Sequence, residues 1–282
     1  MRATPQSAPA VAPDVTHYEN FPVASWLCPP ALRPAVAAIY WFARTGDDMA
    51  DEGQDSADAR LSTLARYRAD LAALYAGEPL SGLWPGVFGP LAQARARHAL
   101  PLQPLDDLLD AFMQDVRKTA AGAGYADRAE LLDYCSRSAA PVGRLVLHLY
   151  GIDAPEALRQ SDAICSALQL INFWQDLSVD LPRGRYYLPQ DGCAAHGTTQ
   201  AAPVRALVAE QVQWARALML QGAPLVHRVP GRMGWELRLV VQGGLAILDK
   251  IAALDHASWR ERPRLHKTDG PRLLWRAWRM HG

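Results

Sequence analysis

The sequence lacks the closely spaced cysteines and histidines from which zinc sites are built. It has four cysteines, none in a C-x-x-C pair, and eight histidines, none in an H-x-x-x-H pair. Such spacings are the usual signature of structural or catalytic zinc. We therefore expect no zinc site, and unpaired cysteines are typical of a protein from a reducing compartment.

An excess of charge of one sign is also missing. The chain has 29 Lys and Arg residues against 29 Asp and Glu residues, so its formal net charge is zero. Domains that bind nucleic acid usually carry a clustered basic excess. We therefore expect no nucleic-acid partner.

Long hydrophobic runs are absent as well. No stretch reaches the roughly 18 uninterrupted apolar residues that a membrane span needs. Residues 1–14 are rich in Ala and Pro and contain no continuous apolar segment, which predicts a disordered leader and not a signal peptide. We expect residues 15–282 to form one catalytic domain, and we expect the protein to be cytoplasmic.

The apolar residues that are present recur at helical spacing. In residues 57–76, Leu61, Leu64 and Leu71 follow one another in steps of three and seven, and no strand-like alternation persists anywhere in the chain. No linker or internal repeat divides the sequence. The pattern predicts a single all-α domain.

Three glycine-containing segments carry more specific expectations. Residues 127–150 are predicted to form one helix, with Gly143 flanked by apolar residues. Gly46 is expected to loosen the helix that contains it. Gly243 and Gly244 lie within an apolar helical pattern, where glycine costs about 1 kcal/mol against alanine, so a close approach of another chain segment or of a bound chain is expected there.

The first chemical signal is a row of oxygen ligands before Pro182 and Gly184. Asn172, Asp176 and Asp180 stand at i, i+4 and i+8, so on a helix they share one face. Their oxygen atoms suit Mg²⁺ or Mn²⁺ better than zinc. The structural alternative is a solvated, charged helix face.

A second acidic segment makes a site the better interpretation. Asp47 and Asp51 again stand at i, i+4, with Asp48 and Glu52 beside them. Like charges at this spacing destabilise a helix unless a cation offsets them. Arginines accompany both segments, at positions 44, 183 and 185. Two acidic faces with neighbouring arginines can hold a diphosphate bridged by metal ions.

These two segments resemble the aspartate-rich motifs of the squalene and phytoene synthase family. The resemblance extends to residues 17–25, 32–40, 134–143 and 183–189, in the family's order. Residues 18–25 and 141–149 are most similar to one branch, the bacterial hydroxysqualene synthases of hopanoid biosynthesis. The resemblance implies an isoprenoid synthase-type helical bundle around a central cavity, acting on prenyl diphosphates with Mg²⁺.

The resemblance also assigns roles to individual residues. It implies Asp47, Asp51, Asn172, Asp176 and Asp180 as metal ligands, and it places Tyr134 on the tyrosine that handles protons near the diphosphate. Arg44 and Arg185 are expected to hold phosphate. The other expected substrate-binding residues are Phe21, Tyr40, Gln169, Asn172 and Tyr187. For each aromatic residue taken alone, ordinary core packing is the alternative.

The resemblance leaves several activities open. The first is ionisation of presqualene diphosphate, rearrangement of the cation and capture of water, with no requirement for NADPH. The second is the coupling of two prenyl diphosphates to presqualene diphosphate, squalene or phytoene. A non-catalytic assembly or lipid-binding homologue is the third. Arg137 and Pro141 depart from the coupling members and are expected to reshape the pocket wall.

The final segment, residues 271–280, suggests a surface role. As a helix it would gather Leu274, Trp275 and Trp278 on one side, with Arg272, Arg276 and Arg279 spread around the other. Tryptophan combined with arginine suits the interface of an anionic membrane, here the inner face of the plasma membrane. The alternative is a terminal helix whose tryptophans cover the core. The oligomeric state stays open.

Overall fold

Twelve α-helices make up the part of the chain that the structure describes. The computed structural model describes residues 28–280, so the predicted leader (residues 1–14) and Phe21 lie outside it. The helices are α1 (Arg33–Asp51), α2 (Ala57–Ala76), α3 (Pro85–His98), α4 (Leu102–Ala120), α5 (Arg128–Ser138), α6 (Ala140–Leu149), α7 (Pro155–Gln175), α8 (Leu177–Asp180), α9 (Gln190–Ala195), α10 (Arg205–Gly222), α11 (Gly231–Ala253) and α12 (Gly270–Trp278). Residues 28–280 contain no strand, which confirms the all-α prediction.

The helices bury two adjoining hydrophobic clusters. One is built mainly from α1 to α4 and includes Phe42, Tyr67 and Phe88. The other surrounds α7, α10 and α11 and includes the fully buried Trp174. Helix α7 packs against α5, α6, α10 and α11. Helix α7 therefore lies at the centre of the bundle, with other helices packed on several sides of it.

The helix predicted over residues 127–150 is broken, and that prediction was wrong. Helix α5 ends at Ser138 and α6 begins at Ala140, with Ala139 at φ −122° between them. The cause is Pro141, because proline has no amide hydrogen to donate and its ring clashes with the carbonyl four residues earlier. The break redirects the chain, and the backbone of α6 comes so close to α7 that a Cβ on Gly143 would lie 2.4 Å from Ser161 Oγ.

Gly46 does not loosen its helix, which runs unbroken from Arg33 to Asp51. A Cβ at this position would lie 3.0 Å from the ring of Phe112. The glycine therefore allows α1 to pack closely against α4, and both helices contribute to the site described below.

The expected close approach at the paired glycines is confirmed for one of them. A Cβ on Gly244 would lie 2.9 Å from Met219 Cε and 3.1 Å from Ile171 Cδ1, whereas a Cβ on Gly243 would make only an ordinary contact at 3.9 Å. Glycine at position 244 therefore lets α11 approach α7 and α10. No helix within residues 28–280 is both long and apolar enough to cross a bilayer.

Candidate active site

Both acidic segments lie at the C-terminal ends of helices. Asp47 and Asp51 occupy the last turns of α1, while Asp176 caps α7 and Asp180 ends α8. A helix C-terminus carries partial negative charge, so carboxylates there are electrostatically unfavourable. Nearby cations are needed to offset that cost, and arginines supply part of the compensation.

Arg185 joins the two acidic segments across the bundle. Its guanidinium donates to both oxygens of Asp51, at 2.6 and 2.8 Å. Gly184 makes this possible, because it adopts a left-handed conformation (φ +72°) that turns the chain after the 3₁₀ turn Leu181–Arg183. The predicted phosphate-binding arginine is therefore paired with a predicted metal ligand.

Asp115 on α4 is a carboxylate of this site that sequence reasoning missed. Tyr187 Oη donates to it, with both carboxylate oxygens at 3.2 Å. Burial, with the nearby charge of Asp51, raises the pKa of Asp115 to about 6. A signal did exist in the sequence: Asp115 lies three residues after Phe112 and seven after Leu108, so it continues the buried stripe of its helix.

Asp180 is a strongly perturbed carboxyl group at this end of the bundle. Burial raises its pKa to about 7, and the negative charges of Asp176, Asp115 and Asp51 add to the effect, while Arg185 opposes it. Two groups, Asp51 and Arg185, act on both Asp115 and Asp180. The site thus holds more negative charge than its arginines neutralise.

Arg262 is a second residue that the sequence did not reveal. It lies in the segment between α11 and α12 and donates to both oxygens of Asp176, with Nη2 to Oδ2 at 2.9 Å. Gln175 fixes the same segment by donating to the carbonyl oxygen of Pro263 at 2.8 Å. The contact between Arg262 and Asp176 joins residues that are 86 positions apart, and no local spacing in the sequence points to it.

An aromatic wall stands beside the carboxylates. Phe173 and Tyr187 stack face to face, with ring centroids 3.8 Å apart, and Tyr125 and Tyr134 extend the group. Tyr134 is buried, and burial together with Asp115 raises the pKa of its hydroxyl well above the usual value. Tyr134 therefore packs in the core, as the structural alternative has it. It also borders the acidic site, as the role implied by the family resemblance requires.

The remaining predicted residues lie on the same helices. Arg44 pairs within its own segment, with Asp48 at 2.7 Å and Glu52 at 3.0 Å. The ring of Tyr40 meets Trp41 edge to face, and Gln169 and Asn172 are partly buried on α7. Their roles in binding stay predictions.

Two acids of the first segment face another opening. Asp48 and Glu52 line a cavity of about 310 Å³ between α1 and α2, together with Thr45, Met49, Asp55, Arg60 and Thr63. This cavity does not include Asp51 or Asp180. It is therefore distinct from the expected central cavity, which stays a prediction.

The carboxylates fit a hard divalent cation. Their oxygen atoms are the ligands that Mg²⁺ and Mn²⁺ prefer, and burial, with neighbouring carboxylates adding to it, raises the pKa values of Asp115 and Asp180. Within residues 28–280, no three acidic, histidine or cysteine groups converge as a preformed metal site. Asp51 and Asp176 are instead occupied by arginines, so binding of a metal ion by these two residues requires them to exchange partners.

Comparison with known proteins places this arrangement in context. The model of the squalene/phytoene synthase family matches residues 15–279. A hydroxysqualene synthase from Sinorhizobium fredii is 33% identical over 267 residues, covering 90% of this chain and 85% of its own. A presqualene diphosphate synthase from Zymomonas mobilis is 30% identical over 263 residues, covering 91% and 87%.

A solved structure gives the same result for the fold. The crystal structure of squalene synthase HpnC from Alicyclobacillus acidocaldarius superposes with a TM-score of 0.75 at 37% sequence identity. The match covers 85% of this chain and 90% of that one. The single helical domain is therefore shared.

Proposed function

The chain belongs to the squalene/phytoene synthase family, an isoprenoid synthase family, and from this premise we propose that it is a hydroxysqualene synthase. In this reaction presqualene diphosphate loses diphosphate by heterolytic cleavage of a carbon–oxygen bond. The cyclopropylcarbinyl cation rearranges, the oxygen of a water molecule adds to it, and the water loses a proton. The products are hydroxysqualene and diphosphate.

One observation carries the proposal. Carboxylates from three separate parts of the chain, Asp51, Asp115 and Asp180, gather with Arg185 beside the stacked rings of Phe173 and Tyr187. Diphosphate departure needs positive groups at the leaving oxygens, and the cation left behind needs an aromatic, water-poor surface. The carboxylates would hold a divalent cation that, together with Arg185, supplies the positive charge, and the stacked rings beside them supply the aromatic surface.

The chain's own residues have distinct tasks in this scheme. Arg185 and Arg44 hold phosphate oxygens, and guanidinium is suited to that because it binds two oxygens at once. Tyr134 exchanges a proton at its hydroxyl near the departing group. Asp115 accepts a hydrogen bond from Tyr187 and so holds that ring against Phe173. When bound, Mg²⁺ or Mn²⁺ supplies Lewis-acid neutralisation of the leaving diphosphate.

The choice within the family rests on the relatives. The hydroxysqualene synthase from S. fredii is slightly more similar than the presqualene diphosphate synthase from Z. mobilis, at 33% against 30% identity. The argument from Arg137 does not add to this. That arginine is held between α4 and α5 by Asp110, Asp133 and Gln114, and these contacts explain its presence without a role in the pocket wall.

The second candidate is a coupling enzyme that joins two prenyl diphosphates. This candidate is supported by the similarity to the presqualene diphosphate synthase from Z. mobilis, which extends over 91% of this chain. A non-catalytic homologue is less consistent with the site, because both acidic segments retain their carboxylates. NADPH is not expected for the first activity, since water and not hydride quenches the cation.

Product analysis separates these candidates. The purified chain is incubated with Mg²⁺ and either presqualene diphosphate or farnesyl diphosphate, each with and without NADPH, and with Asp176→Ala as the inactive control. We expect hydroxysqualene from presqualene diphosphate in both cofactor conditions and no coupled product from farnesyl diphosphate. A coupled product from farnesyl diphosphate alone would instead establish the second candidate, and no turnover of either substrate would favour the non-catalytic homologue.

A further inference from the structure

Helix α12 is fixed to the protein through one side only. Ala277 is fully buried against the bundle, and Gln242 on α11 contacts Met280. Arg276 pairs with Asp249 at 2.9 Å, and Arg216 on α10 pairs with the same carboxylate at 2.8 Å. These contacts orient the helix on α11 and determine which of its sides faces outward.

The outward side carries the largest apolar residues of the segment. Leu274, Trp275 and Trp278 are 58%, 54% and 60% exposed. At about 100° per residue, their side chains fall within an arc of about 100°. That arc lies roughly opposite the side that bears Arg276, Ala277 and Met280, the three residues that contact the bundle. The tryptophans therefore do not cover the core, and the packing interpretation of this helix was wrong.

The surroundings of this apolar arc are basic. From position 260 to the end of the chain there are seven Lys and Arg residues and two acidic ones, although the whole chain has 29 of each. Arg272 and Arg279 are exposed beside the arc, and the guanidinium of Arg279 lies 4.9 Å from the centroid of the Trp275 ring. Arg262 and Arg276 are paired with Asp176 and Asp249, so Arg272 and Arg279, on the exposed side of the helix, are the charges that favour an anionic partner.

We propose that this surface, made of Leu274, Trp275 and Trp278 with Arg272 and Arg279, binds the interface of an anionic lipid bilayer. Tryptophan rings settle at the depth of the lipid headgroups, and flanking arginines attract acidic lipids. The helix lies in the membrane plane and does not cross it. The proposal does not depend on which prenyl diphosphate the enzyme uses.

A second protein copy fits this surface less well. A stable protein interface buries about 800 Å² on each partner, and three side chains with two arginines provide much less than that. Two copies meeting through this face would also bring their basic residues together. A bilayer needs no such area, because it supplies both an apolar layer and opposite charge.

Vesicle co-sedimentation of the full chain tests the proposal. The vesicles are either pure phosphatidylcholine or phosphatidylcholine mixed with phosphatidylglycerol. The apolar variant is Trp275→Ala/Trp278→Ala, and its matched control is Leu83→Ala/Leu220→Ala, which removes two apolar residues of 52% and 55% exposure elsewhere on the surface. Thermal unfolding of each variant checks that its fold is retained.

The charge variant is Arg272→Gln/Arg279→Gln, and its control is Arg66→Gln/Arg97→Gln, which changes the net charge equally at exposed sites on α2 and α3. We expect binding of the unaltered protein to the anionic vesicles only. The apolar variant should bind at least about tenfold more weakly. The charge variant should bind about 30-fold more weakly. Both controls should bind normally.

Three results would overturn the proposal. The first is that the unaltered protein fails to bind anionic vesicles, and the second is that the apolar variant and its control bind equally. The third is a concentration-dependent dimer in sedimentation equilibrium that the apolar variant abolishes, with vesicle binding unaffected. That outcome would assign the surface to a second copy of the chain.

Discussion

We expect loss of the ion pair between Arg185 and Asp51 to affect more of this molecule than loss of any other contact. The pair connects the end of α1 to the loop after α8, with two hydrogen bonds of 2.6 and 2.8 Å. The side chains are only 13% and 29% exposed. Removing the arginine leaves a carboxylate near Asp115 and Asp180, whose pKa values the guanidinium also lowers.

The size of the effect follows from charge and burial. Unit charges about 4 Å apart attract by about 4 kcal/mol at an effective dielectric constant of 20. Desolvation of both groups offsets part of this attraction, and breaking a fully buried pair costs about 3–5 kcal/mol. Because Asp51 retains some contact with solvent, we expect a coupling free energy of about 2 kcal/mol between the two side chains.

A double-mutant cycle in urea unfolding measures this coupling directly. The variants are Asp51→Asn, Arg185→Gln and the double substitution, and the free energy of unfolding is compared across all four proteins. The matched control is Arg144 with Asp162, a bidentate pair on the surface whose arginine is 52% exposed. That pair should couple by less than about 1 kcal/mol. Equal coupling in the two cycles would refute the reasoning.

Three further predictions concern catalysis and pH. Asp47→Ala and Asp176→Ala should each reduce turnover more than about a hundredfold in a steady-state assay, and near-normal turnover of either folded variant would contradict the metal assignment. Tyr134→Phe should lower turnover without lowering the melting temperature, whereas full activity would leave Tyr134 as a packing residue only. Glu130→Gln should cost about 1 kcal/mol in urea unfolding near neutral pH, because a backbone N–H and Lys118 hold the pKa of Glu130 below 4.5. Since a lowered folded-state pKa stabilises only above the unfolded value, the loss should fade as the pH falls below 4.5, and a constant loss would be inconsistent with ion pairing.

Local spacing predicted the helical parts of the site well. The i, i+4 spacing of Asp47 and Asp51 depends only on helical geometry, and α1 contains both residues. The single helix expected through Asn172, Asp176 and Asp180 was wrong, because the chain leaves helical geometry at Asp176, between α7 and α8. The all-α fold followed from the same periodicity. The role of Gly244 could also be inferred from the sequence, because glycine destabilises a helix and is therefore expected in one only where close packing requires it. The structure shows such close packing at Gly244.

Tertiary contacts could not be predicted in this way. Arg262 reaches Asp176 from 86 residues away, and no local pattern records that distance. Asp115 was hidden for a different reason, because a single acid within an apolar stripe resembles a surface residue until neighbouring helices are placed. The break at Pro141 was predictable in principle, since proline interrupts a helix, but the apolar pattern on both sides of it is also typical of one continuous helix.

In the proposed reaction, this site ionises a prenyl diphosphate and lets water capture the cation. Turnover of presqualene diphosphate in water labelled with heavy oxygen tests it most directly. With Mg²⁺ present and NADPH absent, mass spectrometry should find hydroxysqualene carrying one labelled oxygen atom, and Asp176→Ala should form none. A product without labelled oxygen, or a hydrocarbon that forms only when NADPH is added, would contradict the proposed reaction.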